Sequence, residues 1–408
     1  LDANWFNSRR VRIYPRLIVV LYSVIILTAL ILSPHFIDPT GKPIGTDFLG
    51  FWTAGRMALD GHATEAYDAT QHAAAAQRAL PWKPGQQAPF VPYLYPPTFL
   101  MAAAVLALLP YGAALALWLS ATLALYIAAI RSVLPGALMA ALAFPAVFLN
   151  IAHGQTGFLS AGLLGGALLL LEERPWSSGI LFGLLAYKPQ FGVVIPLALL
   201  LGGYWRTIVA AMLTVVATFG CSFALWGDGP WRAFVSTLQT VGGEGLKNSS
   251  EGLEKLQSVF AAARLFNGSV TLAWVLQGIF ACIGAVAVVW IWWRPGSINV
   301  RGAVLVTASL MLTPYLFDYD LVILALPLAW LVSRGLADGF RRREKSLLLA
   351  TWILPLFSRM LAKYLHVPAA PLAMLLLLFL AFRSHDRYSA GRLSTRAMAP
   401  PNPGIGMP

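Results

Sequence analysis

Charge is what this chain has least of: 11% of its 408 residues are Asp, Glu, Lys or Arg, and only 17 are acidic. A soluble surface needs roughly 25–35% charged residues, so a soluble globule is excluded. Strand-length alternation of apolar and polar residues is also missing, which argues against an outer-membrane barrel. No internal repeat recurs at a fixed period, so the inverted-repeat pattern of many transporters is absent. There are two cysteines, Cys221 and Cys282, both inside apolar runs with no CxxC and no neighbouring His. They read as inert buried thiols, neither a redox pair nor a metal site. The sequence has no P-loop, no GxGxxG fingerprint and no metal-ligand cluster.

What remains is apolar: 58% hydrophobic residues, with 35 glycines and 27 prolines, and a mean hydropathy of +0.69. Long apolar stretches rich in Gly and Pro suit packed membrane helices. The fold class expected is all-α, a polytopic helical membrane protein. Leu17–Leu32 follows Arg9, Arg10, Arg12 and Arg16 and resembles a signal peptide, but no A-x-A-like site follows. It reads as an uncleaved first helix, and the Leu at position 1 reads as a trimmed start. Further spans are expected near 97–109, 112–131, 135–151, 156–171, 177–187, 190–203, 207–226, 271–293, 302–313, 319–333, 347–365 and 369–382. The net charge of +12 sits mainly beside these spans, as the positive-inside rule produces, so nucleic acid is not an expected partner.

The same rule orients the chain. Arginines ahead of Leu17 put the N-terminus in the cytoplasm, and Arg174, Arg206, Arg294, Arg301, the Arg334–Lys345 cluster and Arg383–Arg396 belong there too. Thirteen crossings would strand the C-terminal arginines outside, so one segment between 97 and 151 is expected not to cross, giving about twelve. Residues 1–383 then form one integral membrane domain. Loops 34–95 and 227–270 lie outside, the first carrying short surface helices near Phe51–Leu59 and Ala63–Leu80. The tail 384–408, ending in Pro400–Pro408, reads as cytoplasmic and disordered. The sequons at Asn248 and Asn267 read as chance.

Five polar islands interrupt the apolar runs, and this topology sends all of them to the outer face. They are Gly45-Thr46-Asp47-Phe48-Leu49-Gly50-Phe51-Trp52, Tyr93-Leu94-Tyr95-Pro96-Pro97, Gly154-Gln155-Thr156-Gly157, Tyr187-Lys188-Pro189-Gln190 and Thr313–Asp320. Their order resembles the membrane glycosyltransferases of family 87 (the DUF2029 group) in the GT-C superfamily. The resemblance runs from about Arg16 to Phe382. It implies a GT-C-like bundle that takes a sugar, mannose or an arabinose type, from a polyprenyl-phosphate carrier. The acceptor would be a lipid or glycan, the enzyme would invert the anomeric centre, and the site would face the exterior of a bacterial inner membrane. No cofactor or metal is implied.

The resemblance assigns Asp47 as catalytic base; read from the residue alone, it could instead be an N-cap for the helix that follows. Lys188 could meet the donor phosphate or snorkel to the interface. Tyr315, where some relatives carry His, and Arg56 are further donor-phosphate candidates, although Arg56 could equally pair with Asp47 or Asp60. Tyr95, Gln155, Gln190, Asp318 and Asp320 are candidates for positioning sugar or acceptor. Asp318 and Asp320 could also cap the helix from Leu321, and Tyr95 and Gln155 could satisfy broken backbone. His153 reads as a helix-end residue. The rival functions are a transporter or flippase for a lipid-linked or anionic solute, and a non-catalytic assembly subunit.

Overall fold

The computed structural model describes residues 8–89, 91–242 and 252–397. Among them every named element is helical, and the only strand-like pairings are two isolated bridges, Ile37 with Pro43 and Leu256 with Phe317. Five helices are long and apolar enough to cross a bilayer: Arg9–Leu32, Tyr111–Val133, Trp205–Trp226, Val270–Trp292 and Asp318–Asp338. Two bent pairs, Pro135–Leu142 with Pro145–His153 and Glu344–Leu356 with Ser358–Leu365, raise the number to seven if each is one span. The faces of Arg9–Leu32 and Trp205–Trp226 are almost wholly uncovered by protein, which suits contact with lipid tails. This is a membrane protein.

The expected twelve spans do not all appear as spanning helices, and proline is the reason. A run read as two spans at 177–187 and 190–203 folds as Pro175–Leu184, a 3-10 turn to Tyr187, Pro189–Gly192 and Ile195–Leu201. Ten helical residues reach about 15 Å at 1.5 Å each, half of the roughly 30 Å hydrocarbon core. Proline lacks the N–H and clashes with the preceding turn, so Pro175 and Pro189 restart the helix at its first position and Pro196 at its second. Pro97–Leu106, Gly157–Leu170 and Ile298–Met311 are likewise short apolar helices. Such broken pieces survive where protein surrounds them and re-satisfies their ends.

The segment after the first helix differs from its expected form. Thr46–Leu59 does not lie on a surface: Phe48, Leu49, Phe51 and Ala54 are buried in the main core. Gly55 permits this, because a Cβ there would strike the Ala103 backbone of Pro97–Leu106. Trp52 Nε1 donates to Leu109 O at 3.0 Å. Helix Ala69–Ala79, capped by Asp68 on Gln71 N at 2.8 Å, packs over it, with His72 Nε2 3.1 Å from Gly50 O.

The centre of the bundle is the stretch from Ile298 to Asp338. Ile298–Met311 buries almost every residue, and the 3-10 turn Asp318–Leu324 leads into Ala325–Asp338. Two smaller expectations are corrected. Cys221 and Cys282 are free but exposed, on long apolar helices whose outer faces meet lipid rather than protein. The last helix runs Ala370–Ala397, past Ser384 where the sequence reads as disordered. Pro400–Pro408 and the Asn248 sequon lie outside the described residues.

Candidate active site

Asp47 occupies the first turn of Thr46–Leu59, but it is not the cap. Gly45 holds the N-cap position in the left-handed region (φ 71°, ψ 55°), and no side chain caps the helix. Tyr111 Oη fixes that turn from outside, donating to Ile44 O at 2.6 Å and Gly45 O at 3.1 Å. Released from capping, the Asp47 carboxylate points across the bundle. Its Oδ2 accepts from Gln155 Nε2 at 2.9 Å, a contact between residues 108 apart in sequence.

Gln155 is itself locked. Its Oε1 accepts from Thr156 N at 2.9 Å and Tyr95 Oη at 3.1 Å, so the amide nitrogen must be the end that faces Asp47. The residue before it, Gly154, ends helix Pro145–His153 at φ 65°, a conformation glycine adopts without strain. A Cβ at Gly154 would lie 2.6 Å from Phe48 Cβ. Trp118 Nε1 binds Gly154 O at 3.0 Å. The Gly-Gln pair therefore does two jobs: the glycine lets the chain turn tightly against the Asp47 helix, and the glutamine reaches the carboxylate.

His153, expected to be a helix-end residue, is part of the site. Its Nδ1 lies 3.7 Å from Asp47 Oδ1, and its Nε2 lies 3.2 Å from an Arg359 Nη. A guanidinium nitrogen only donates, so Nε2 accepts there and Nδ1–H faces Asp47. Arg359, which sequence reasoning passed over, also binds Asp318 through Nε at 2.7 Å and Nη2 at 2.6 Å. A signal did exist: Arg359, with Lys363 one turn on, stands between two apolar helical segments, where charge is costly.

Lys188 and Asp320 meet at 2.7 Å, with side-chain exposures of 5% and 1%. The ammonium is boxed by the rings of Phe191 at 5.3 Å, Tyr319 at 5.5 Å and Tyr95 at 5.9 Å. Asp320 Oδ2 also accepts from Phe317 N at 3.4 Å, so its capping role and its ion pair coexist. The structure thus brings together Asp47, Tyr95, Gln155, Lys188, Asp318 and Asp320 in one connected network. It leaves out Arg56, which is half exposed at the far end of its helix and pairs with Asp60 at 3.2 Å rather than with Asp47. Tyr315 packs with Phe317 on the small core around Leu253 and Phe260. Gln190 is partly exposed, two residues beyond Lys188.

Burial pushes the Asp47 carboxyl up, but the His153 N–H, the Gln155 hydrogen bond and the Lys255 charge outweigh it. The net effect holds the carboxyl below the ordinary aspartate value. Asp47 therefore stays ionised at neutral pH while keeping 22% of its side chain exposed. That combination of an oriented, ionised, reachable carboxylate can accept a proton from an incoming hydroxyl. The Tyr95 hydroxyl is pushed far above its usual range by burial and remains a hydrogen-bond donor.

The family model of glycosyltransferase family 87 matches residues 93–317, more than half of the chain. The chain belongs to glycosyltransferase family 87. No curated protein and no solved structure matches it. The matched stretch contains Tyr95, Gln155, Lys188 and Tyr315, whereas Asp47, Asp318, Asp320 and Arg359 lie on either side of it. The fold joins the two sets. As a family 87 glycosyltransferase, the protein uses a sugar donor and an acceptor.

Proposed function

We propose that this glycosyltransferase transfers a sugar from a polyprenyl-phosphate carrier to a lipid or polysaccharide acceptor, with inversion and with Asp47 as base. The observation that carries the reading is the Asp47 carboxylate, aimed by Gln155 and faced by His153, in a membrane bundle. The acceptor oxygen attacks the anomeric carbon as the bond from that carbon to the phosphate oxygen breaks. The acceptor proton passes to Asp47, and the bonding electron pair leaves with the polyprenyl phosphate. Charge develops on the sugar in an oxocarbenium-like transition state, which a fixed nearby carboxylate stabilises. A single displacement inverts the centre and needs no second carboxylate as nucleophile.

Mannose or an arabinose-type sugar remains the donor favoured by the family pattern, and the outer face of an inner membrane the favoured side. A transporter would need Lys188 and Asp47 as charges along one path. Lys188 is instead sealed against Asp320 among three rings. The deciding experiment gives the purified full chain a radiolabelled polyprenyl-phosphate mannose or arabinose with a membrane extract. Transfer in detergent, with the inverted anomer by NMR, supports the reading. Retention of configuration, or transfer only from nucleotide sugars, overturns it.

A further inference from the structure

The cations around Asp47 are not equally available to a substrate. Lys188 has 5% of its side chain exposed and its ammonium is committed to Asp320. To meet an external phosphate it would have to abandon a buried carboxylate. Arg359 has 36% of its side chain exposed. One edge of its guanidinium, Nε and Nη2, holds Asp318 and His153, while Nη1 has no partner among the described residues. Asp318, fully buried, fixes that edge and turns the other outward.

A second cation joins it from a different part of the chain. Lys255 is exposed, and its charge acts on Asp47. The turn Leu253–Lys255 packs on helix Ser358–Leu365, which carries Arg359. Buried Gln257 pins that turn: its N–H donates to Leu316 O at 2.6 Å and its Oε1 accepts from Ala369 N at 3.2 Å. The turn that carries Lys255 and the helix that carries Arg359 are therefore packed together, and Arg359 stands one imidazole away from the Asp47 carboxylate.

We infer that Arg359, seconded by Lys255, binds the phosphate of the lipid-linked donor, and that Lys188 is an internal tie with no ligand role. The inference rests on the phosphate-linked donor proposed above. A guanidinium with one edge fixed presents its remaining donors in a set plane, the arrangement suited to phosphate oxygens. A phosphate there leaves His153 between leaving group and base.

The test measures binding of farnesyl phosphate, farnesol and inorganic phosphate to the full chain in nanodiscs. Removing Arg359 alone strands the buried Asp318, so the informative variant is Asp318→Asn with Arg359→Gln, which keeps the contact uncharged. Wild type should bind farnesyl phosphate well above farnesol and above inorganic phosphate. The double variant should bind farnesyl phosphate about ten- to a hundred-fold more weakly, the worth of a charged hydrogen bond, with farnesol binding and Tm retained. Lys255→Gln should lose less. Should the double variant unfold, Arg359→Lys, which keeps the charge and loses the fork, must still weaken binding. Unchanged affinity in whichever of the two folds overturns the inference while leaving the donor reading intact. Wild type that does not distinguish farnesyl phosphate from farnesol overturns both, and preference for inorganic phosphate makes the site one for a free anion.

Discussion

Arg359 donates to Nε2 of His153 at 3.2 Å, and that contact decides which side of the imidazole faces Asp47. With Nε2 engaged as acceptor, the Nδ1–H is directed at Asp47 Oδ1, 3.7 Å away. Gln155 holds the other oxygen at 2.9 Å. Each carboxylate oxygen is thus met by a group anchored elsewhere, so the direction of the carboxylate is set by the fold. Under the proposed mechanism such preorganisation is what would make a single carboxylate effective.

Asp47→Asn should separate chemistry from architecture. The amide can still bond Gln155 after rotation, but it cannot take a proton. Turnover is expected to fall by about 10²–10⁴-fold, the usual loss of a general base. Because Gly45 and not Asp47 is the N-cap, Asp47→Ala should also stay folded. It loses the roughly 0.3–1 kcal/mol of a first-turn carboxylate on the helix dipole and the partner of the buried Gln155 amide, about 1–3 kcal/mol more. Unfolding of Asp47→Ala in a thermal melt would return Asp47 to a structural role.

Gln155→Leu should change the pH profile. Asp47 is held below its ordinary pKa, partly by the Gln155 amide. Deleting that donor leaves burial less opposed, so the pKa rises. The acidic limb of kcat/KM should therefore move to higher pH than in wild type. The sign for stability is the same as for any depressed carboxyl: ionised Asp47 stabilises the fold above the unfolded pKa of about 3.9. That contribution fades as pH falls through the lower folded value. An acidic limb that stays in place in Gln155→Leu would detach Gln155 from the base.

Lys188→Met should damage folding first. It leaves Asp320, 1% exposed, without its partner; breaking one side of a buried pair costs about 3–5 kcal/mol. Lys188→Met combined with Asp320→Leu should recover much of that loss in a denaturation midpoint. If the single variant melts like wild type but no longer binds donor, Lys188 has the substrate role expected from sequence.

Gly154→Ala tests the junction that brings Gln155 to Asp47. The new Cβ would sit 2.6 Å from Phe48 Cβ in a left-handed backbone, a strain of about 1–3 kcal/mol. The neighbouring glutamine must shift, so transfer should drop more steeply than stability. Activity equal to wild type would show that the turn tolerates displacement.

Much of the site could be read from the chain. Asp47, Tyr95, Gln155, Lys188, Asp318 and Asp320 stood out because each is a polar residue placed in apolar surroundings, where burial without a partner is costly. What could not be read was the pairing. Lys188 might have faced phosphate or carboxylate, and only the position of the Asp318–Leu324 turn beside the Lys188 break joins it to Asp320, 132 residues on. Arg56 is a second case: the chain offered it Asp47, Asp60 or a phosphate, and its place in the last turn of the helix carries it to Asp60. His153 was missed because nothing local marks a histidine at a helix end, and Arg359 because its partners, Asp318 and His153, lie far off in the chain.

The sequence by itself determined the medium and the class: too little charge for water, enough apolar length for lipid, and helices because backbone groups in hydrocarbon must bond internally. It also determined many of the helix breaks, since a proline removes a donor, although Pro15 sits inside the first helix without breaking it. Tertiary structure alone decided which broken ends meet. It also decided that Asp47 is held by Gln155 and faced by His153 rather than capping its own helix. Local rules act over a few residues, whereas the contacts that make the site connect positions from 41 to 206 apart.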